Sequence, residues 1–324
     1  MFSFVKNRFS FYAIALLLVA ISLILPFITK LNLGIDMTGG LQVEYKTTGI
    51  KAEKAIELAK STLIDEAKKK LTSDEAKIIT DTLVYGISGT ENFVIEAWVH
   101  EEGIDPKVVE SAKSHFITEL QKGFSTIKEG TVEQARYVNV GASFGAYIKK
   151  SGYITLALAI IAISLYIQYA FRGSIAGMAS WPFAVVTGVS LIHDVVIASW
   201  LYILTSIFFP EFKIDTFFIT ALLTVLGYSI NDTIVVMDRI RSNLQDGAQK
   251  KLSFSALIDK SIHDTMRRSL FTSLTVIIVL VALFIWGPSS LKGFTLALIF
   301  GGIVGTYSSI CIASPLLIDI TKRK

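Results

Sequence analysis

The chain reads as a polytopic α-helical membrane protein, six transmembrane helices with a small α+β domain inserted between the first and the second. Three observations predict this. Apolar residues fill 52% of the 324 positions and the mean hydropathy is +0.56, too apolar for a soluble chain of this length. They come in six blocks of about twenty, the length a helix needs to cross a ~30 Å hydrocarbon layer, where only helices and closed barrels satisfy their backbone. The cations are sorted by side. Lys6, Arg8, Arg172, Arg239, Arg241, Lys250, Lys251, Lys260, Arg267, Arg268 and Lys322-Arg323-Lys324 fall on one side, and the two short loops opposite hold Lys213 and Lys292. The positive-inside rule then puts both termini in the cytoplasm and the inserted domain outside.

Residues 1–30 are expected to hold the cytoplasmic N-terminus and the first span, Phe9 to Ile28. That run is longer than the apolar core of a signal peptide, and no small-x-small cleavage pattern follows it. From 31 to 149 charges become frequent and no span-length apolar run occurs. Leu41 to Tyr45 alternates as a strand does. Lys51 to Lys70 carries Ala55, Leu58, Ala59, Leu63 and Ala67 at helical spacing. Two strands are expected at Thr82–Ile87 and Phe93–Val99, separated by the turn-rich stretch from Ser88 to Asn92. A second helix fits Asp105 to Gly123, with Asp105 as N-cap and Pro106 as its first residue. A last strand fits Ala135 to Val140. The order βαββαβ predicts a small split-βαβ, ferredoxin-like domain.

Residues 150–324 hold the other five spans: Gly152–Phe171, Phe183–Phe208, a run from Phe217 ending at Arg239, Ser269–Trp286 and Phe294–Ile320. An interfacial elbow is expected from Gly173 to Pro182, and a partly helical cytoplasmic segment over 241–267. Mixed charge on the inserted domain excludes a nucleic-acid face. One cysteine, Cys311, and four scattered histidines give no disulfide and no metal-ligand spacing. No nucleotide loop or nucleophile elbow is present, so neither a cofactor nor an enzymatic activity is expected.

The residue that stands out is Asp232, inside the fourth span. An ionisable group there costs at least about 2.5–3.5 kcal/mol and marks a protein interior or a water-filled path. An interfacial, solvated Asp232 is the alternative, since Arg239 follows only two turns later. Tyr228, Asp232 and Arg239 share one helix face by spacing, while Asp238 is expected to point elsewhere and to mark the cytoplasmic boundary. Asn231 adds a further polar group to the span. His193-Asp194, in the third span, is either a titrating relay or a hydrogen-bonded structural pair. Gly39-Gly40 after Asp36 suits a tight turn out of the membrane. Gly173/Gly177 and Gly301/Gly305 permit close helix contact.

Three segments carry a resemblance. They are Leu33-Gly34-Ile35-Asp36-Met37-Thr38-Gly39-Gly40, the stretch Gly227 to Arg241 with its Gly-Tyr-Ser-Ile-Asn-Asp-Thr-Ile-Val-Val core, and Thr265-Met266-Arg267-Arg268-Ser269-Leu270-Phe271-Thr272-Ser273. Together they resemble SecF, the family that supplies one subunit of the bacterial SecD–SecF protein-export complex. Met37, Met237 and Arg267 depart from its pattern. The resemblance implies half of an RND-type transporter fold in the bacterial inner membrane. It implies late export of preproteins driven by the proton-motive force, with SecD, the SecYEG channel, YajC and YidC as partners. It ties the positions of Asp232 and Arg268 to proton coupling. From spacing alone Arg267 and Arg268 are ordinary positive-inside flanks. An RND-type small-solute efflux transporter and a passive scaffold are the competing functions. Efflux pumps carry larger, usually paired extramembrane domains, and a scaffold leaves Asp232 unexplained.

Overall fold

The computed structural model describes residues 2–29, 31–87, 89–101, 103–172, 179–246 and 252–321. Most of the expected elbow, the pair Gly173/Gly177, Lys250, Lys251 and the terminal Lys322-Arg323-Lys324 lie outside the described residues. The chain divides into two compact units, one of Met1–Leu31, Tyr153–Phe208 and Phe217–Lys324, the other of Asn32–Gly152 and Phe209–Thr216.

The first unit is built of helices long and apolar enough to span a bilayer: α1 (Arg8–Ile28), α7 (Ala142–Ala170), α8 (Trp181–Phe208), α9 (Thr216–Gln245), α10 (Phe254–Trp286) and a final span. That last span is composite. A 3₁₀ turn at Ser289–Leu291 leads into α11 (Lys292–Ser308), a π turn at Ser309–Ala313 and α12 (Ser314–Thr321). Pro315 explains the π turn, because a proline in an unbroken helix has no N–H to donate and clashes with the preceding turn. The Ser314 hydroxyl donates to the Ser309 carbonyl at 2.7 Å within it. Half or more of the α8, α9 and final-span windows is buried (50%, 50% and 61%), against 11%, 6% and 11% for α1, α7 and α10. Three helices therefore form the centre and three the apolar exterior. Exposed Leu16, Leu17, Leu158, Ile278 and Val279 suit contact with lipid or another apolar surface. Small hydroxyl residues in the spans mostly return their O–H to the carbonyl one turn back, as Ser22 does to Leu18 and Thr205 to Leu201.

Helices run further than hydropathy indicates. α7 starts ten residues before the apolar run of the second span, and α9 and α10 extend through much of the expected segment 241–267. Charged residues form helix as readily as apolar ones, so hydropathy marks where a helix meets lipid and not where it ends.

In the second unit a four-stranded sheet has the order β2-β3-β1-β4, every neighbouring pair antiparallel. Its strands are β1 (Gly40–Thr48), β2 (Ile79–Gly86), β3 (Asn92–Val99) and β4 (Thr131–Val140). Each β-α-β connection thus skips over one strand, the split-βαβ arrangement. The helix expected over Lys51–Lys70 is broken into α3 (Ala52–Leu58), a π turn (Ala59–Leu63) and α4 (Ile64–Lys70), and α5 (Ser73–Ile78) follows. At α5, Thr72 and Glu75 form a capping box, and Glu75 also bonds Ser111 and His115. The Thr72 N–H and the His115 ring hold the Glu75 carboxyl down at about 2. α6 (Pro106–Ser125) starts as its sequence dictates, with Asp105 Oδ1 accepting the Lys107 N–H at 2.9 Å.

Alternation decides the two faces of the sheet. Leu41, Val43 and Tyr45 of β1 and Phe93, Ile95 and Ala97 of β3 meet Phe116, Leu120 and Phe124 of α6 in one core. The Tyr45 and Phe124 rings lie 4.7 Å apart. Full burial of one such phenylalanine is worth about 1.5–3 kcal/mol. The opposite face carries Gln42 and Glu96, and there the loop between α8 and α9 adds a cation. Lys213 Nζ donates to Glu96 Oε2 at 2.8 Å, and Tyr85 and Gln42 donate to Oε1 at 2.9 and 3.0 Å. Both charges are buried. Breaking such a pair from one side typically costs 3–5 kcal/mol.

Candidate functional site

α9 places the site. Its buried positions, among them Val225, Leu226, Ser229, Asp232, Thr233 and Val236, recur every three to four residues and form one inward stripe. Asp232 lies on that stripe, 3% exposed, so its carboxylate is shielded from solvent by the protein. Its Oδ2 accepts the Ser273 hydroxyl of α10 at 3.1 Å. Thr306 of α11 donates to Ser273 Oγ at 2.7 Å, with the Gly302 carbonyl as its other acceptor. Three helices thus meet at one acid. Among the described residues, Asp232 makes no salt bridge.

Arg268 is exposed on α10. It lines a cleft of about 690 Å³ together with Asn231, Asp238, Arg239, Ser242, Asp264 and Thr265. Arg239 Nη2 pairs with Asp264 at 2.7 Å, and Arg241 with Asp238 at 3.5 Å. Arg239 and Asp238 both line the cleft, while Asp232 is buried among the helices. An arc 100° wide separates neighbouring residues on a helix, and the cleft is broad enough to take in both Asp238 and Arg239. Tyr228 lies over Gly302, whose Cβ position would be 3.6 Å from its ring.

His193 and Asp194 are both buried on α8. Asp194 Oδ1 faces His193 Nδ1 at 2.9 Å, and Oδ2 accepts the hydroxyls of Ser229 and, at 2.8 Å, Ser308. His193 Nε2 meets the Tyr307 hydroxyl at 2.8 Å. Two acids thus sit on one α9–α11 contact, which is close because of glycine. A Cβ on Gly301 would lie 2.1 Å from Val225 Cγ2, and one on Gly305 2.9 Å from Ser229 Cβ. Sequence reasoning missed Ser229, Ser273, Thr306, Tyr307 and Ser308. The available signal was the polar run from Thr306 to Ser309 inside an apolar block.

The segment from Gly34 to Gly40 belongs to the second unit. It forms the short helix α2 (Ile35–Thr38), and Asp36 Oδ2 accepts the Thr216 N–H at 2.8 Å and hydroxyl at 2.6 Å. Asp36 thereby caps the first turn of α9, where an anion also suits the helix dipole. That end is about 24 Å along the helix from Asp232 at 1.5 Å per residue. Gly39, at φ +78°, leaves no room for a side chain, since a Cβ would lie 2.5 Å from Ala142 Cα.

The family described as protein export membrane protein SecD/SecF, C-terminal, matches residues 119–323. Likeness also runs over nearly the whole chain. The protein translocase subunit SecF of Sebaldella termitidis is 32% identical over 98% of this chain and 92% of its own length. That of Rhodothermus marinus is 32% identical over 99% and 94%. The chain belongs to the SecF branch of the SecD/SecF family. The crystal structure of SecDF, a translocon-associated membrane protein from Thermus thermophilus, superimposes with a TM-score of 0.76 at 27% identity. It covers 99% of this chain, which spans 39% of that polypeptide. The chain is thus a multi-pass membrane protein of the SecF branch, with six candidate spans among its described residues.

Proposed function

We propose that this chain is a membrane subunit of the Sec protein-export machinery. With SecD it uses the proton-motive force to assist the late translocation of preproteins, beside the SecYEG channel and with YajC and YidC as further partners. The observation that carries the reading is Asp232, buried where α9, α10 and α11 meet and held by a hydroxyl, with no salt bridge among the described residues. A charge in that setting is costly, so proton binding and release there favour different helix arrangements. Arg268 and Asn231, in the polar cleft next to it, supply the route by which the proton and a compensating charge reach Asp232. One charge crossing the membrane at 100 mV is worth about 2.3 kcal/mol, enough to bias a two-state helix arrangement. The termini and the cleft face the cytoplasm of the inner membrane, and the sheet domain faces outward, as the cation placement requires.

The test is Asp232→Asn, which keeps the size and most of the hydrogen bonding of the side chain and removes its proton. The variant is expected to assemble with SecD at normal levels, spare the ATP-driven early steps and lose export driven by the gradient. Wild-type export with the gradient present and SecD bound would overturn the reading.

A further inference from the structure

His193-Asp194 is a buried titratable pair that the coupling reading leaves unused, and its partners are arranged for two protonation states. Asp194 receives a donor at each carboxylate oxygen: His193 Nδ1 at Oδ1, and the Ser229 and Ser308 hydroxyls at Oδ2. That is the environment of an ionised acid, with Nδ1–H donating and the Nε2 of His193 left to carry or release a proton. Nε2 faces the Tyr307 hydroxyl at 2.8 Å, with the two rings edge to face at 5.5 Å. A backbone carbonyl at that place would satisfy only a protonated Nε2. A phenol satisfies both forms, donating to the neutral ring and accepting from the imidazolium. The pair carries one net negative charge with a neutral ring and none with an imidazolium. Within a span the second form avoids an uncompensated charge.

The other titratable groups on the helices packed against α8 are Tyr228, Asp232, Asp238, Arg239 and Arg241 on α9, Lys292 on α11, Cys311 in the π turn, Tyr12 and Arg8 on α1, Asp319 on α12, and Tyr147, Lys149, Lys150, Tyr153, Tyr166 and Tyr169 on α7. Tyr12 and Arg8 are engaged by Asp319. Asp232 shares both supporting helices with the pair. On α9, Ser229 serves Asp194 three residues before Asp232; on α11, Thr306 leads to Asp232 through Ser273 and Ser308 serves Asp194. A small shift of α9 along α11 therefore disturbs both acids at once.

We propose that His193, Asp194 and Tyr307 form a second protonatable site, holding one proton at His193 Nε2, and that its occupancy is coupled to that of Asp232 through α9 and α11. The coupling to transport rests on the export reading above; the site itself does not. The test uses the whole chain copurified with SecD in lipid nanodiscs, with ¹⁵N-labelled histidine. His193→Gln identifies the His193 signal among those of His100, His115 and His263. The ring is expected to pass between imidazolium and a neutral form unprotonated at Nε2 over the pH range in which the complex stays assembled. Asp232→Asn is expected to move that midpoint by about one pH unit, and Ser273→Ala, which removes the donor to Asp232, is the second perturbation should the Asn variant not assemble. Tyr307→Phe is expected to shift the midpoint as well. A ring locked in one state over this range, or a midpoint unmoved by a change at Asp232, overturns the proposal. No export is measured, so a failure of the coupling reading in the Asp232→Asn export assay is a separate result.

Discussion

A carboxylate inside a span is held either by donors that fix its charge or by a surrounding that lets it change. Asp194 has the first kind of setting, with donors on both oxygens, and Asp232 the second, with one hydroxyl. Arg268 stands between the two roles its sequence allowed, a flanking charge and a positioned partner. Its place beside Asn231 on the cleft separates it from Arg267, whose guanidinium lies over the Phe271 ring at 5.4 Å. Lysine keeps the positive-inside signal but not the planar fork. Arg267→Lys is therefore expected to be nearly silent in a gradient-driven export assay. Arg268→Lys is expected to lose on the order of tenfold, the equivalent of about 1.4 kcal/mol. Equal and small effects would return Arg268 to a topology role.

At the scale of elements, the α9–α11 contact is set by what is missing from Gly301 and Gly305. Gly301→Ala puts a methyl group 2.1 Å from Val225 Cγ2, and overpacking of this kind costs about 1–3 kcal/mol. The helices must part, and the hydroxyls that α11 offers to Asp194 and Ser273 go with them. Thermal unfolding in detergent is expected to fall for Gly301→Ala and to recover in part when Val225→Ala is added. Additive losses in that double-mutant cycle would show that the contact is not the limiting one. The Gly301/Gly305 spacing was visible in the sequence as a generic small-residue pair. Which helix it admits was not, because any of five other spans offers an apolar surface to pack there.

For the whole molecule, orientation is the property on which the export reading depends. The sheet domain must be outside if it is to meet a chain leaving the channel. Thr90 sits in an exposed turn between β2 and β3, and Gly103 has open space around it. Cysteines placed at either position, in a chain with Cys311→Ser, are expected to react with a membrane-impermeant reagent in cells permeable only at the outer membrane. Labelling that needs lysis would reverse the topology.

The sequence by itself determined the class of molecule, six spans with a small α+β insertion, and it marked Asp232, because the cost of a lone charge in hydrocarbon is a local property readable from one chain segment. It marked Asp36 and the glycines after it as well, though not their task. Only the tertiary structure decided who meets whom. Asp36 caps α9, Lys213 from a short loop neutralises Glu96 in the sheet, and serines and threonines of three helices converge on two acids. Each of these pairings joins residues 35 or more positions apart. Serine and threonine leave little trace in the pattern because their hydroxyls can bond the preceding turn of their own helix, so hydropathy passes over them. Their acceptor is chosen by helix packing, and packing is settled by shape across the whole bundle.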